Sequence, residues 1–192
     1  MTGDDPQLER LKAEARRVAR AARAEAAQLE PAACLKVMEN FPIEPARLDP
    51  IAAYWPIGAE MDPRPLMAAL AKAGRTIALP RADARDAPVR FLAWDGATLA
   101  PDAYGAPAPH ASAAEVSPKL VIVPLVAFDR TGARLGQGGG VYDRTLRALK
   151  PKGVVAVGLA YAAQELDSVP AGPQDQTLDW VVTEKEAIRC GT

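Results

Sequence analysis

The chain has 192 residues, of which 49% are hydrophobic and 24% charged, and its formal net charge is -1. This length can bury a core of its own, so we expect one domain over residues 1–192. A near-neutral charge gives no general attraction to nucleic acid or membrane, and the sequence has neither an apolar span of about 18 residues nor a signal-peptide core, which predicts a cytoplasmic protein.

The N-terminal segment is predicted to be one long helix. Asp4 or Asp5 ahead of Pro6 is typical of a helix start, and the helix is expected to end near Pro31. Seven apolar residues follow at helical spacing and form an apolar stripe: Leu8, Leu11, Ala15, Val18, Ala22, Ala26 and Leu29. We expect this stripe to dock the helix on the rest of the protein. A second, weakly marked helix is predicted around residues 34–41.

The next segment predicts a strand, a helix and a strand in parallel arrangement. The strands are expected at residues 51–55 and 76–79, with the helix opened by Pro63 and closed by Gly74. A further strand is possible at residues 89–94.

The C-terminal half repeats this order after a proline-rich surface segment at residues 101–118. A continuous apolar run at 120–126 predicts a buried central strand, followed by a helix at 142–149 and strands at 154–159 and 180–183. The predicted fold class is α/β: an open parallel or mixed sheet flanked by helices in a Rossmann-like three-layer architecture. Ligands of such sheets bind at the carboxyl ends of the strands.

A glycine-rich turn after the central strand is the main candidate site. Gly136, Gly138, Gly139 and Gly140 lie just ahead of a predicted helix, where exposed backbone N–H groups can receive phosphate oxygens. The pattern is not a dinucleotide fingerprint, because Val141 stands where the third glycine is needed, and no Gly-Lys-Ser/Thr is present. A tight turn without a ligand remains the alternative.

The residues from Pro124 to Arg144 carry a family resemblance. The block Pro-Leu-Val-Ala-Phe-Asp-x-x-Gly-x-Arg-Leu-Gly-x-Gly-Gly-Gly-x-Tyr-Asp-Arg resembles the signature of the 5-formyltetrahydrofolate cyclo-ligase family, also called methenyltetrahydrofolate synthetases. The resemblance extends to Lys12 and Arg16, to residues 55–62 and to Leu178-Asp179, so it spans most of the chain.

The resemblance implies an ATP- and Mg²⁺-dependent ring closure that converts 5-formyltetrahydrofolate to 5,10-methenyltetrahydrofolate with release of ADP and phosphate. The formyl oxygen takes the γ-phosphoryl group and becomes a good leaving group. The protein then mainly positions two substrates and offsets phosphate charge. We expect a monomer whose partners are these small molecules, with no nucleic acid or membrane partner.

The resemblance also implies the roles of individual residues. Residues that match ATP-binding positions are Lys12, Arg16, Arg134, Leu135, Gly136, Gln137, Gly138, Gly139, Gly140, Val141 and Tyr142. Residues that match folate-binding positions are Trp55, Glu60, Gln137, Gly138, Gly139, Gly140 and Val141. The expected catalytic residues are Arg134, Tyr142 and Asp143, and the expected metal ligands are Asp143 and Asp179.

Without the resemblance, the same residues have plainer interpretations. Trp55 would be a core residue and Glu60 a solvated one, Asp143 would favour a helix start through the helix dipole, and Asp179 would occupy a turn. Arg20 and Arg23 share a basic helix face with Lys12 and Arg16 but gain no role, and Arg23 is expected to lie out of reach of the site.

Several chemistries are disfavoured by what the chain contains. His110 is the only histidine and lies among prolines, which predicts a solvated loop residue rather than a catalytic base. Cys34 and Cys190 are too few for a disulfide framework, and no Cys–His cluster has zinc spacing. Many relatives have a basic residue at the position of Gln137 or Gly139 and an aromatic residue at the position of Val141. Because this chain lacks them, its affinity for ATP is in question.

Two other classes of function remain as alternatives. One is an enzyme that resembles a sugar-phosphate isomerase or a CoA-transferase. The other is a nucleotide-sensing or folate-storing module without catalysis.

Overall fold

Among the described residues three helices come first, and two further helices connect strands of the main sheet. The computed structural model describes residues 5–84, 87–96 and 98–191. Its α-helices are α1 (Pro6–Leu29), α2 (Ala33–Asn40), α3 (Ile43–Ala46), α4 (Arg64–Lys72) and α5 (Val141–Leu149). Its strands are β1 (Ile51–Ala52), β2 (Ile77–Arg81), β3 (Arg90–Ala93), β4 (Ala100–Pro101), β5 (Pro107–Ala108), β6 (Leu120–Pro124), β7 (Ala127–Phe128), β8 (Arg134–Leu135), β9 (Val155–Leu159), β10 (Trp180–Val182) and β11 (Ala187–Arg189).

The main sheet has seven strands in the order β11-β10-β9-β6-β1-β2-β3. The five inner strands run parallel, and the two edge strands β3 and β11 run antiparallel to their neighbours. Two short ribbons, β4–β5 and β7–β8, stand apart from this sheet. The predicted open mixed sheet is therefore confirmed.

Alternate residues of the central strands enter two separate cores. Leu120 and Ile122 pack on one face with Val37 of α2 and Leu70 of α4. Val121 packs on the other face in a cluster that also contains Leu146 of α5. Helices thus cover both faces of the sheet, as the continuous apolar run of β6 predicted.

The predicted element order is largely confirmed, with differences at the ends of strands. The Asp5 side chain caps α1 by accepting from the N–H of Gln7 at 2.9 Å, whereas Asp4 lies outside the described residues. The first strand was predicted to reach Trp55 but ends at Ala52, and the central strand ends at Pro124 rather than Val126. The chain then forms the β7–β8 ribbon before the glycine turn, so the turn does not follow the buried strand directly.

The predicted docking of α1 through its apolar stripe is only partly correct. Leu11, Val18 and Leu29 are 54%, 46% and 71% exposed, so these three of the seven stripe residues do not dock the helix, and only Ala26 of the stripe is buried. Instead Lys12, Ala19 and Arg23 are buried. Small alanines allow α1 to pack closely against β7 and the turn at residues 162–164, which leaves the basic face turned inward. No helix among the described residues is long and apolar enough to cross a membrane.

Candidate functional site

A cavity of about 660 Å³ lies at the carboxyl ends of three parallel strands. Trp55 follows β1, Ala82 follows β2 and Leu125 follows β6, and all three line the cavity. The glycine-rich segment at residues 136–140 forms another wall. The volume is in the range of small-molecule sites, and the location is the one at which open α/β sheets bind ligands.

The glycine loop joins β8 to the start of α5. Gly138 has a φ of 108° and Gly140, the residue before α5, has a φ of 63°, a region that other residues enter only with strain. The loop therefore reverses sharply and brings the N-terminus of a nine-residue helix to the cavity. Leu135, Gly136, Gly139 and Val141, which are predicted to bind ATP, also line the cavity.

Two arginines of α1 hold this loop. The Nε of Arg16 donates to the carbonyl oxygen of Gly136 at 3.1 Å. The Nη2 of Arg20 donates to the carbonyl oxygen and to Oε1 of Gln137, at 3.2 and 3.1 Å. The sequence predicted no role for Arg20, but Arg20 forms hydrogen bonds with Gln137 of the glycine loop. Helix α1 therefore forms a wall of the site although it lies more than a hundred residues away in sequence.

Lys12 lies deeper, and only 3% of its side chain is exposed. Its Nζ is 2.8 Å from Oδ2 of Asp175 and 3.6 Å from Oε1 of Glu9. All three residues line the cavity. Sequence reasoning missed Asp175, because an aspartate in a segment of glycine, proline and glutamine has no distinguishing pattern.

Arg134 and Asp143 form an ion pair at the base of the loop. The Nη2 of Arg134 donates to Oδ1 of Asp143 at 3.0 Å, and Nη1 donates to the carbonyl oxygen of Gln176. Oδ1 of Asp143 also accepts from the N–H of Gln176 at 3.0 Å. The Arg134 side chain is 2% exposed, whereas that of Asp143 is 25% exposed and reaches the cavity. Two of the three residues expected to be catalytic, Arg134 and Asp143, are therefore in direct contact; that they are catalytic stays a prediction.

The β7–β8 ribbon presents Arg134 because its turn is closed by Asp129. The buried Asp129 carboxylate accepts through Oδ1 from the N–H of Thr131 at 2.9 Å and through Oδ2 from the N–H of Val169 at 2.8 Å. These bonds anchor the turn to a distant loop. The strand that follows starts with Arg134 at a fixed position.

Asp179 does not join Asp143. Its Oδ2 accepts from the N–H of Ala156 at 2.7 Å, at the amino-terminal end of β9, and it is not among the residues that line the cavity. The parallel strands place this position at the sheet edge opposite the site. No group of three or more His, Cys, Asp or Glu side chains suited to a metal occurs among the described residues. Of the two carboxylates predicted to bind a metal, Asp143 lines the cavity and Asp179 does not.

Glu60 and Trp55, which are predicted to bind folate, both line the cavity. Glu60 accepts from the N–H of Ile57 at 3.0 Å through Oε2 and from Nε2 of Gln137 at 3.3 Å through Oε1. The Trp55 ring meets the ring of Trp94 edge to face, with 5.6 Å between centroids. One residue of the predicted ATP loop, Gln137, therefore contacts the residue predicted to bind folate.

Tyr54 and Tyr142 of the site stay protonated well above neutral pH. Burial raises the pKa of Tyr142, and the negative charge of Glu60 raises it further. Burial also raises the pKa of Tyr54, with a contribution from Glu60 that Arg23 partly opposes. The Tyr54 hydroxyl donates to the carbonyl oxygen of Met61 at 2.5 Å. At neutral pH, Tyr142 can therefore donate a hydrogen bond into the cavity but cannot act as an anion.

Comparison with known proteins decides the family. A sequence model of the 5-formyltetrahydrofolate cyclo-ligase family matches residues 5–184. The chain belongs to this family. A 5-formyltetrahydrofolate cyclo-ligase from Mycolicibacterium smegmatis is 36% identical over 148 residues, which cover 72% of this chain and 75% of the relative. One from Escherichia coli is 33% identical over 139 residues, which cover 69% and 76%.

A solved structure confirms the likeness of the fold. The NMR structure of Aquifex aeolicus 5,10-methenyltetrahydrofolate synthetase has a TM-score of 0.79 at 30% identity and covers 93% of this chain and 92% of its own. The structure of the synthetase from Mycoplasma pneumoniae has a TM-score of 0.70 at 22% identity, covers 90% of this chain and 98% of its own, and shows the same fold.

The cavity of this cyclo-ligase family member is also lined by two basic residues that the sequence analysis did not predict as site residues. Arg144 and Arg147 lie on α5, one and four residues after Asp143. The helical spacing from Asp143 to Arg147 could have indicated a shared face. As many acidic as basic side chains line the cavity: Glu9, Glu60, Asp102, Asp143 and Asp175 against Lys12, Arg16, Arg134, Arg144 and Arg147. The site is therefore not uniformly positive.

Proposed function

We propose that this protein catalyses the ATP-dependent conversion of 5-formyltetrahydrofolate to 5,10-methenyltetrahydrofolate, with release of ADP and phosphate. One observation carries the proposal: a single cavity is lined both by the glycine loop and by Glu60 and Trp55. A phosphoryl group can pass from a nucleotide to a folate only if both lie in the same enclosed space. Family membership supplies the identity of the two substrates.

The reaction proceeds in two steps, a phosphoryl transfer and a ring closure. The formyl oxygen attacks the γ-phosphorus and the bond to ADP breaks. The nitrogen at position 10 of the folate then attacks the activated formyl carbon, its proton leaves, and phosphate departs with the former formyl oxygen. The protein contributes chiefly by holding the reactants in line and by offsetting charge on the phosphoryl oxygens.

The nucleotide side of the cavity suits the triphosphate. Backbone N–H groups at the start of α5, with Arg16 beside Gly136, would receive phosphate oxygens. The buried Arg134 would place a fixed positive charge at the base of the loop. The protonated Tyr142 hydroxyl would donate a hydrogen bond to an oxygen that gains negative charge.

Asp143 fits a role in holding Mg²⁺. Magnesium in phosphate-transfer sites uses one or two protein carboxylates together with substrate phosphates, so a cluster of three is not needed. The Asp143 carboxylate is one-quarter exposed and faces the cavity. The ion, when bound, supplies positive charge to the phosphate oxygens in a site where acidic and basic side chains are balanced. The position of Asp179 gives no support to its predicted part in this role.

The folate side of the cavity suits the pterin ring. The Glu60 carboxylate can accept N–H donors from an aminopyrimidine edge, and Trp55 offers an aromatic surface beside it. That this protein acts as a monomer in the cytoplasm remains a prediction from the sequence.

A spectrophotometric assay for the methenyl product tests the proposal. Purified protein with ATP, Mg²⁺ and 5-formyltetrahydrofolate is expected to form the product, and omission of any one component is expected to stop it. ATP hydrolysis must depend on 5-formyltetrahydrofolate. Hydrolysis at the same rate without folate, or folate binding without turnover, would reject the proposal and leave a nucleotide hydrolase or a binding module.

A further inference from the structure

Arg23 is a buried cation in the middle of α1. The residue is 8% exposed, although the sequence predicted that it would lie out of reach of the site. Its Nη1 donates to the carbonyl oxygen of Leu125 at 3.4 Å and lies 3.9 Å from Oε1 of Glu60. Its Nε is buried and has no hydrogen-bond partner among the described residues. Leu125 and Glu60 both line the cavity, so Arg23 stands directly behind its wall.

Burying a guanidinium group costs free energy unless an anion offsets its charge. The Glu60 carboxylate is the acidic group that forms an ion pair with Arg23, and only 9% of the Glu60 side chain is exposed. A buried pair of this kind is weak support for stability, because desolvation of both ions opposes their attraction. A role in fixing the position of a functional group accounts better for its presence.

The Glu60 carboxylate is held from three directions. The N–H of Ile57 donates to Oε2, while Nε2 of Gln137 donates to Oε1. Both of these donors are neutral amides. Arg23 alone among these three partners carries a positive charge, and it acts on Oε1. Without Arg23, a nearly buried carboxylate would keep only amide donors and could turn away from the cavity.

The geometry points to Arg23 as the positioning residue of the folate site: its guanidinium group fixes the Glu60 carboxylate so that Oε1 can accept an N–H donor from the pterin edge. This inference rests on the proposed function, since it specifies how the folate half of the site is held. Arg23 is not among the residues that line the cavity. Its removal should therefore weaken the binding of folate and leave the binding of nucleotide nearly unchanged.

Equilibrium binding of 5-formyltetrahydrofolate without ATP gives a direct test. Arg23→Met keeps an unbranched apolar stem and removes the charge, and it should weaken folate binding by about ten- to a hundredfold, because it removes the opposite charge about 4 Å from a nearly buried carboxylate. Binding of a non-hydrolysable ATP analogue should change by less than about twofold. Arg23→Lys should recover part of the folate affinity. Arg17→Met, on the exposed side of the same helix, is the matched control and should leave both affinities unchanged.

A double-mutant cycle shows whether Arg23 acts through Glu60. In a Glu60→Gln background, Arg23→Met should add less than about a twofold further loss, because the partner is already neutral. The same loss in both backgrounds would overturn the inference. Equal weakening of folate and nucleotide in both Arg23 variants would also overturn it and show a purely structural role. If the unaltered protein binds no 5-formyltetrahydrofolate, the proposed function itself fails, whereas tight binding by Arg23→Met rejects this inference alone.

Discussion

The Nε of Arg16 donates to the carbonyl oxygen of Gly136 at 3.1 Å, across 120 positions of sequence. This bond joins the long N-terminal helix to the glycine loop. A Cβ atom on Gly138 would lie 3.8 Å from the Arg16 guanidinium carbon, so the arginine runs alongside the loop backbone. The guanidinium group therefore has one donor on the loop and others that can face a phosphate chain.

Arg16→Ala is expected to weaken ATP binding by about ten- to a hundredfold, because charge-assisted hydrogen bonds contribute about 1.5–3 kcal/mol each. Folate affinity should stay close to normal. Arg17→Ala is the control, since Arg17 pairs with Glu14 on an exposed surface and should change ATP affinity by less than about twofold. Titration with a non-hydrolysable ATP analogue measures both variants. If Arg16→Ala and Arg17→Ala bind the ATP analogue with similar affinities, Arg16 serves only to hold the loop.

The two aspartates proposed as metal ligands can be separated by experiment. Asp143→Asn should raise the Mg²⁺ concentration needed for half-maximal turnover by about ten- to a hundredfold. Asp179→Asn should leave that concentration unchanged, because its carboxylate accepts from the N–H of Ala156 within the sheet. Mg²⁺ titrations of initial rate give the comparison. A raised Mg²⁺ requirement in the Asp179 variant would restore it as a ligand.

Asp143→Asn should also lower the melting temperature. An exposed aspartate at a helix start would contribute only about 0.3–1 kcal/mol to stability. The structure instead pairs Asp143 with an Arg134 side chain that is 2% exposed. Removing the charge leaves a buried cation uncompensated, which is strongly destabilising in other proteins. Turnover must therefore be expressed per folded molecule, as measured by circular dichroism at the assay temperature.

Gly140 and Gly136 form a matched pair in the loop. Gly140→Ala should lower stability by about 1–2 kcal/mol, because its φ of 63° is strained for alanine and the new Cβ would lie 2.9 Å from Nη1 of Arg144. Gly136 has no positive φ, and a Cβ added there would have no atom within 4 Å, so Gly136→Ala should leave the melting temperature unchanged. Thermal unfolding measures both. Equal melting temperatures would show that the loop relaxes around the added methyl group.

Stability should fall at alkaline pH, in part because of Cys190. Burial raises the pKa of its thiol from 9.0 to about 11, and the negative charge of Asp179 adds to the rise. The unfolded state loses this proton first, so the contribution is fully present below pH 9 and is lost as the pH rises through about 11. Melting temperatures between pH 8 and 11 should decline less steeply for Cys190→Ala. An unchanged slope would exclude a contribution from this thiol.

The sequence determined the order of the elements and the place of the site along the chain. The apolar run of β6 has the length and composition expected of a buried strand. The glycines at 136–140 with the Tyr142-Asp143-Arg144 triplet carry the resemblance to the family. These are local signals, because each depends on neighbouring residues and backbone preferences. They sufficed to indicate an α/β sheet with a phosphate-binding loop at its carboxyl edge.

Only the tertiary structure decided which faces and side chains meet. Helix α1 has leucines on one side and arginines on another, and hydrophobicity alone favoured docking by the leucines. Arg23 is buried and Arg16 is half-buried, because distant partners there, Glu60 for Arg23 and Gly136 for Arg16, offset the cost of removing them from water. Asp175 lines the site and Asp179 does not, because distant partners again decide where each side chain lies. Two aspartates four residues apart look alike in sequence, but only one of them faces Lys12.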